Sequence, residues 1–560
     1  MEQQPTPPTT PKSRRWLWLA LTVVLLIAVL GGVVLAVPPL RQFAFNLAGQ
    51  QKGQGTPTPT GPWYLAGGGA CVKLPATPPK QITNVRVSKD SYLAHSEPEI
   101  AENPHNPLNL VGGSKFFTDP AHYRFKIGYY ASFDGGCTWT DGGIFPGYAD
   151  YELTSDISFA FGLRNDVYAA VLVDGKVDNP DFSGIAVSRS TDGGKTFQLP
   201  TLVHADPNGA TFSDKPWIAI DTTSGPNAGD VYIAWNLDDN RSPSTPIYFS
   251  RSTDGGQTFS PGVSISGASS LCRFGEPASG GLTCDSALGA IPVIEPDGSI
   301  VVTYAYYDPN NPAADHGQDE GGDSGDQGFV GGPLAANSPQ FTCRPLPPSR
   351  AAHTQQFVVR SADGGQTWST PVDAAEVYDL PFHFNNSCFR NFSLPAFAAD
   401  PTTGELYLTW ADERFGDSDI LLSTSSDGGQ TWGAPVRVND DPKGDGKDQF
   451  QPQVVVAPNG VVSIMFFDRR DDPNNFLVDA YLAQSTDGGK TFLPNVRVTT
   501  ASSDPSVDAP VPDSNGPVNF FGDYQGLAAD NQFAHVFWND TRTGAQEIFT
   551  AAMPSVQPAK

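Results

Sequence analysis

Most of this chain is written in short apolar runs separated by turns. DKPWIAIDTTSGPNAGDVYIAWN (Asp214–Asn236) holds two such runs, PIYFSRSTDGGQTF (246–259) a third, and VSIS (263–266) a fourth. Runs of this length, rich in β-branched and aromatic residues and ended by Gly, Pro, Asn and Asp, predict strands joined by tight turns. The pattern recurs, with first strands expected to begin near Glu97, Asp156, Asp214, Asp285, Ser393, Phe450 and Asp523. The seventh unit stops after three strands. The outer strands of its neighbours read PVRVND (435–440) and NVRVTT (495–500), and TNVRVSKD (83–90) stands just before the first unit. This N-terminal strand is therefore expected to complete the last sheet and remove its open edge.

One turn is repeated. SRSTDGGKTF (188–197) returns with small changes, so that its Asp falls at Asp134, Asp192, Asp254, Asp363, Asp427 and Asp487. The intervals are 58, 62, 109, 64 and 60 residues, a period that suggests propeller blades with one insertion. Ser and Asp side chains in such a turn accept or donate backbone hydrogen bonds, Gly supplies a left-handed conformation, and the aromatic packs on a neighbour. Each copy carries one carboxylate, too few to hold a cation. The motif SxDGGxT(W/F) resembles the Asp-box, or BNR, repeat of the sialidase superfamily, over roughly residues 81–556. That resemblance implies an all-β Asp-box propeller; the units counted here favour seven blades, with six as the alternative. It also implies glycan-directed work. Sialidases of the superfamily use an arginine triad, a Tyr/Glu pair and an Asp acid/base. Their F/Y-R-I-P motif is missing here; YRFK (123–126) does not match. No catalytic residue is carried over, and a non-catalytic propeller for protein interaction or assembly is the competing class.

The residues themselves nominate a site. Three turns between second and third strands read aromatic-x-Asp-x-Arg: Asp412 with Arg414, Asp468 with Arg470, and Asp540 with Arg542. Trp235, Asp238, Asp239 and Arg241 form a longer version. Carboxylates suit glycosidic acid/base work and arginines suit an acidic sugar, whereas an Asp capped by its own Arg is scaffolding. Strand starts add Glu97, Glu99, Asp156, Asp214, Lys215, Asp285, Gln451, Asp523 and Tyr524 to the same mouth. The GDY at Gly522–Tyr524 places a Tyr beside an Asp, where it either plugs the channel or acts as a nucleophile needing a base.

Composition bounds the rest. Acidic residues outnumber basic ones 60 to 34, a net charge of −26, which disfavours nucleic acid as a partner. The exception to the strand pattern is Trp16–Val37, 22 residues without a charge, preceded by Lys12, Arg14 and Arg15. As a helix it is about 33 Å long, enough to cross a bilayer. The expected layout is a cytoplasmic tail (1–15), an uncleaved transmembrane anchor (16–37), a Pro/Gly-rich stalk (38–80) and a propeller outside the cytoplasm (81–556). A cleaved signal peptide is the rival reading, disfavoured because the run is long and no A-x-A site follows. The insertion, about 308–355, is acidic and Gly-rich. It and DPKGDGKD (441–448) are weak Ca²⁺ candidates, and no cofactor is required. Six cysteines in an oxidising compartment suggest three disulfides, expected as Cys71–Cys137, Cys272–Cys284 and Cys343–Cys388 among 15 pairings. A glycan or glycoprotein partner and membrane attachment follow from this reading; the oligomeric state does not.

Overall fold

The computed structural model describes residues 63–66, 70–73 and 82–557, less 120–121, 123, 177, 240–243, 274, 276, 308–352, 382–383, 385–386, 388, 508–509 and 512–517. The described residues contain no α-helix and fold into antiparallel sheets. Seven of these sheets are four-stranded. Their first strands are Leu93–Glu102, Tyr151–Phe161, Thr211–Ile220, Ala287–Ile294, Ala396–Ala399, Gln449–Val456 and Gly526–Ala529. We number the sheets one to seven in that order. Each first strand packs against the next, and that of sheet seven packs against that of sheet one, so the contacts run in a closed circle. Second and third strands are apolar on both faces because each sheet is covered by a neighbour on either side; Val462–Asp468 and Asp479–Ser485 are buried at every position.

The sequence-derived scheme meets the structure at two informative points. Val85–Arg86 is the outer strand of sheet seven, pairing with Phe549 and Thr550. Val87 N–H donates to the Ile548 carbonyl (2.7 Å), and Arg86 pairs with Glu547 at 2.5 Å. The insertion falls between the second and third strands of sheet four, and residues 308–352 lie outside the described ones. The first strands of sheets one to three begin three to five residues earlier than expected, because each continues through the bulge at its charged residue.

The six Asp-box turns are staples. In each, the Ser hydroxyl donates to the Asp carboxylate, for example Ser425 to Asp427 at 2.8 Å, and accepts the N–H of the second Gly, Gly429, at 3.0 Å. The following Thr donates both its N–H and its hydroxyl to the same Asp, 2.9 and 2.6 Å for Thr431. The Thr hydrogen bonds lead in holding Asp254, Asp363 and Asp427 down to about 2. The second Gly is needed: at Gly365 φ is +85°, and a Cβ would lie 2.3 Å from the Phe249 ring of sheet three. Trp368, closing that turn, packs edge-on against the same ring at 4.9 Å. Each staple thus holds its own turn and presses it against the preceding sheet.

Between sheets three and four a three-stranded excursion (Ala268–Thr283) is tied by Cys272–Cys284. Cys137 is also disulfide-bonded. The side chains of Cys71, Cys343 and Cys388 lie outside the described residues, as do residues 16–37. No described helix is long and apolar enough to cross a membrane.

Candidate functional site: the axial pocket

The inner strands share an irregularity that builds the site. Register breaks occur at Ser96/Glu99, Ser155/Ser158, Asp214/Trp217, Leu288/Ile291 and Phe450/Gln453. Inside them Glu97, Asp156, Lys215 and Gln451 take φ of +50°, +50°, +46° and +49°, and Gly289 takes +69°. A left-handed bulge re-aims a side chain and costs a non-glycine residue about 1–3 kcal/mol. Here it gathers polar groups where the inner strands converge. Gly522 makes room for them: at φ +84°, a Cβ there would sit 2.9 Å from the Glu97 nitrogen.

Asp523 is the hub. Arg390 holds it through two hydrogen bonds (2.9 and 2.7 Å), and Lys215 Nζ donates to it at 2.9 Å. The same ammonium lies 3.7 Å from Asp156 Oδ1. The Tyr524 hydroxyl points to that Asp156 oxygen at 3.4 Å, and its ring meets Trp217 edge-on at 5.8 Å. Behind them Glu97 is fully buried, 3.4 Å from Lys115 Nζ. Lys115 in turn lies 4.2 Å from the centres of both the Phe125 and Phe520 rings. Burial, only partly opposed by Lys115, lifts the Glu97 carboxyl to about 8. Burial also raises Glu99, against the Ile100 N–H and Gln453 that oppose it, and it raises the Tyr524 phenol together with the Asp156 charge.

Of the polar groups, Asp156, Lys215, Gln451, Gln453, Asp523 and Tyr524 form one end of a pocket whose other walls include Pro216, Trp217, Ile291, Phe392, Leu394, Pro395 and Pro452. Its enclosed part is about 40 Å³, room for a few waters. A polar, charge-bearing end facing aromatic and proline walls is the composition of a small-molecule site.

The rim residues are arranged differently. Asp412 is fully buried and accepts from Arg414 Nε and Nη2 (2.7 Å each) and from Trp410 Nε1 (2.9 Å). Asp540 repeats this with Arg542 (2.9 and 2.6 Å) and Trp538 (2.9 Å). Asp468 accepts from Arg470 Nε at 2.7 Å, and burial lifts its carboxyl to about 7. Each carboxylate is held by its own arginine. Asp238 is lifted to about 7 by burial, and Arg241 lies outside the described residues. Asp214 caps the Lys215 N–H at 2.8 Å, and Asp285 accepts from Ser244 and Thr283 beside the disulfide excursion. The structure therefore brings together Glu97, Glu99, Asp156, Lys215, Gln451, Asp523 and Tyr524, and keeps the Asp–Arg turns apart from them. Among the described residues no group of three or more His, Cys, Asp or Glu is placed to hold a metal.

Arg390 and Lys115 were not anticipated. Lys115 had a signal, a lone charge inside the apolar strand LVGGSKFFTD. Arg390 sits in the connection between sheets four and five, where nothing local points to a partner 133 positions away.

The class these observations define is an all-β protein of four-stranded antiparallel sheets stapled by repeated Asp-box turns. Residues 342–519 match the family described as the BNR repeat-like domain, which bears out the resemblance drawn from the turns. No protein of curated function matches the chain. Similar solved structures include a protein of unknown function from Dyadobacter fermentans DSM 18053 (14% identity, 84% of this chain and 98% of that one, TM-score 0.43). They also include the Hadza microbial sialidase Hz136 (14%, 80% and 76%, 0.41). A third is the Penicillium chrysogenum alpha-L-arabinanase complexed with arabinobiose (12%, 85% and 99%, 0.40). At these identities and scores the likenesses assign no activity.

Proposed function

We propose that this protein is a glycan-directed, sialidase-like propeller whose working site is the axial pocket. The observation that carries the reading is the Tyr524 hydroxyl directed at Asp156, with Asp156 held at φ +50° in a bulged inner strand and Tyr524, just before the first strand of sheet seven, packed edge-on against Trp217. A phenol with a raised pKa attacks only as its proton leaves, and Asp156 is the acceptor in place. Asp523 is neutralised by Arg390 and Lys215 and acts as the anchor of the cluster rather than as a reacting group. Asp412, Asp468 and Asp540, with their arginines, serve the turns.

The test is release of 4-methylumbelliferone from a panel of glycosides, sialoside included, by the full chain and by Tyr524→Phe and Asp156→Asn. Turnover that falls at least a hundredfold in both variants supports the pocket. Turnover kept moves the chemistry to the rim. No turnover by a folded protein favours the second reading, a non-catalytic interaction propeller, for which the locked Asp–Arg turns speak.

Three further parts belong to the proposal. The seven sheets are seven blades of one ring, checked by counting blades in a cryo-EM projection. Residues 16–37 anchor the chain and hold the propeller outside the cytoplasm, so it should resist carbonate extraction and yield to added protease on the outer side. The fold needs no cofactor, so neither Ca²⁺ nor a chelator should move its melting temperature.

A further inference from the structure

We infer that the axial pocket selects uncharged, hydroxyl-bearing sugars and rejects carboxylate-bearing ones. The inference rests on the glycan-directed reading above and names its ligand class.

Donors and acceptors on the pocket wall differ in how fully the protein satisfies them. An acidic sugar needs cationic donors whose hydrogens face the ligand. Lys215 is placed between Asp523 and Asp156. Arg390 grips Asp523 with two parallel hydrogen bonds and has its guanidinium against the Phe392 and Phe520 rings, 5.2 and 5.0 Å from their centres. The amides are also turned onto protein. Gln451 donates to the Gly522 carbonyl and accepts from Gln525 at 2.9 Å. The Tyr524 hydroxyl donates to Asp156. Gln453, the other amide on the wall, hydrogen-bonds the Glu99 carboxyl, so the side-chain donors on the wall, and Arg390 behind it, are directed at protein acceptors.

The acceptor side differs. Asp156 is 1% exposed, lines the pocket, and its second carboxylate oxygen has no hydrogen-bond partner. A buried carboxylate oxygen without a donor is costly, and a ligand that supplies one recovers that cost. A sugar hydroxyl does so. A ligand carboxylate does not: it would meet Asp156 as a like charge, and it could recruit Lys215 or Arg390 only by stripping Asp523 of its partners in a buried site. The small enclosed volume fits this arrangement. The sugar ring lies over Trp217 at the mouth, and a hydroxyl reaches inward to Asp156 in place of a water.

The experiment is isothermal titration of the full chain with matched neutral and acidic sugars: galactose against galacturonate, glucose against glucuronate, and N-acetylneuraminate alone. It is repeated with Asp156→Asn, and with Trp217→Phe in case the first variant fails to fold. The expected result is at least tenfold tighter binding of a neutral sugar than of its acid partner. Asp156→Asn should narrow that ratio by weakening the neutral sugar, and Trp217→Phe should weaken the neutral sugar while leaving the ratio in place. Equal or tighter binding of the acid overturns the inference and leaves the glycan-directed reading standing. Binding of neither, together with a silent glycoside panel, overturns both.

Discussion

Replacing Asp412 by alanine tests whether the repeated Asp–Arg turns are scaffolding. Asp412 has no exposure and accepts hydrogen bonds from Arg414 Nε and Nη2, Trp410 Nε1, and the backbone N–H groups of Tyr378 (3.1 Å) and Arg414 (2.9 Å). Alanine leaves the buried Trp410 indole without an acceptor, which costs about 1–3 kcal/mol. Removing one partner of a fully buried ion pair costs about 3–5 kcal/mol. The Arg414 side chain, however, is 22% exposed and can turn to water, so the guanidinium contributes little of that penalty. The net expectation is a loss of about 2–3 kcal/mol. A chain of this size unfolds with an entropy near 1 kcal/mol/K, so the melting temperature should fall by about 2–3 °C. The assay is urea and thermal unfolding followed by tryptophan fluorescence, with Trp410→Phe and the double variant Asp412→Ala/Trp410→Phe completing a thermodynamic cycle on the indole hydrogen bond. A coupling below about 0.5 kcal/mol would refute the reasoning. Lost turnover with unchanged stability would return Asp412 to the catalytic candidates.

Other predictions follow from the same geometry. Gly365→Ala should destabilise by more than about 2 kcal/mol, since strain at positive φ adds to a clash with Phe249, whereas Gly416→Ala, with open space around it, should show strain alone; urea midpoints compare them. Glu97 has a folded-state pKa of about 8, above its unfolded value of about 4.5, so its contribution to stability is full below pH 4.5 and lost as pH rises through 8. Glu97→Gln should therefore flatten the decline of unfolding free energy between pH 5 and 8. Asp427 is depressed to about 2, so its contribution is present above the unfolded value near 3.9 and lost as pH falls toward 2. Asp427→Asn should show a smaller loss of stability than wild type between pH 4 and 2.

The fold was legible because its signals are local. A six-fold repeated turn, short apolar runs and the orphan strand at 83–90 each carry their structural meaning within a few residues. The closing strand could be placed because NVRV recurs at 84–87 and 495–498. Besides GDYQ, which precedes the first strand of sheet seven, the site was legible only where inner strands broke their alternation, at SEPE, SDIS and DKPW. There a charge inside an apolar run marked a bulge, although it read as a strand start. The partners of those charges were not legible. Arg390 reaches Asp523 from a connection on the far side of the ring, and only the closure of the circle decides that they meet. The Asp–Arg turns misdirected attention for the opposite reason: they repeat, and in a repeat array the recurring polar motif serves the unit while the singular one serves the axis.

The pairing of Val85–Arg86 with Phe549 and Thr550 has a consequence for biosynthesis. Arg86 and its partner Glu547 are 461 positions apart. At about 5–20 residues per second, roughly half a minute to a minute and a half separates their emergence from the ribosome. For that interval sheet one has no neighbour on its sheet-seven side, and Leu110, Tyr130 and Trp139, later packed with Phe537 and Ile548, face solvent or a chaperone. Val85–Arg86 and Glu547–Pro554 must then find each other before sheet seven is complete. A ribosome stalled before residue 547 holds a seventh sheet without its third strand, so that Phe533–Asp540 and Val85–Arg86 keep unpaired strand edges exposed to neighbouring chains. Quality control of this protein should therefore act most strongly on the strand Glu547–Pro554.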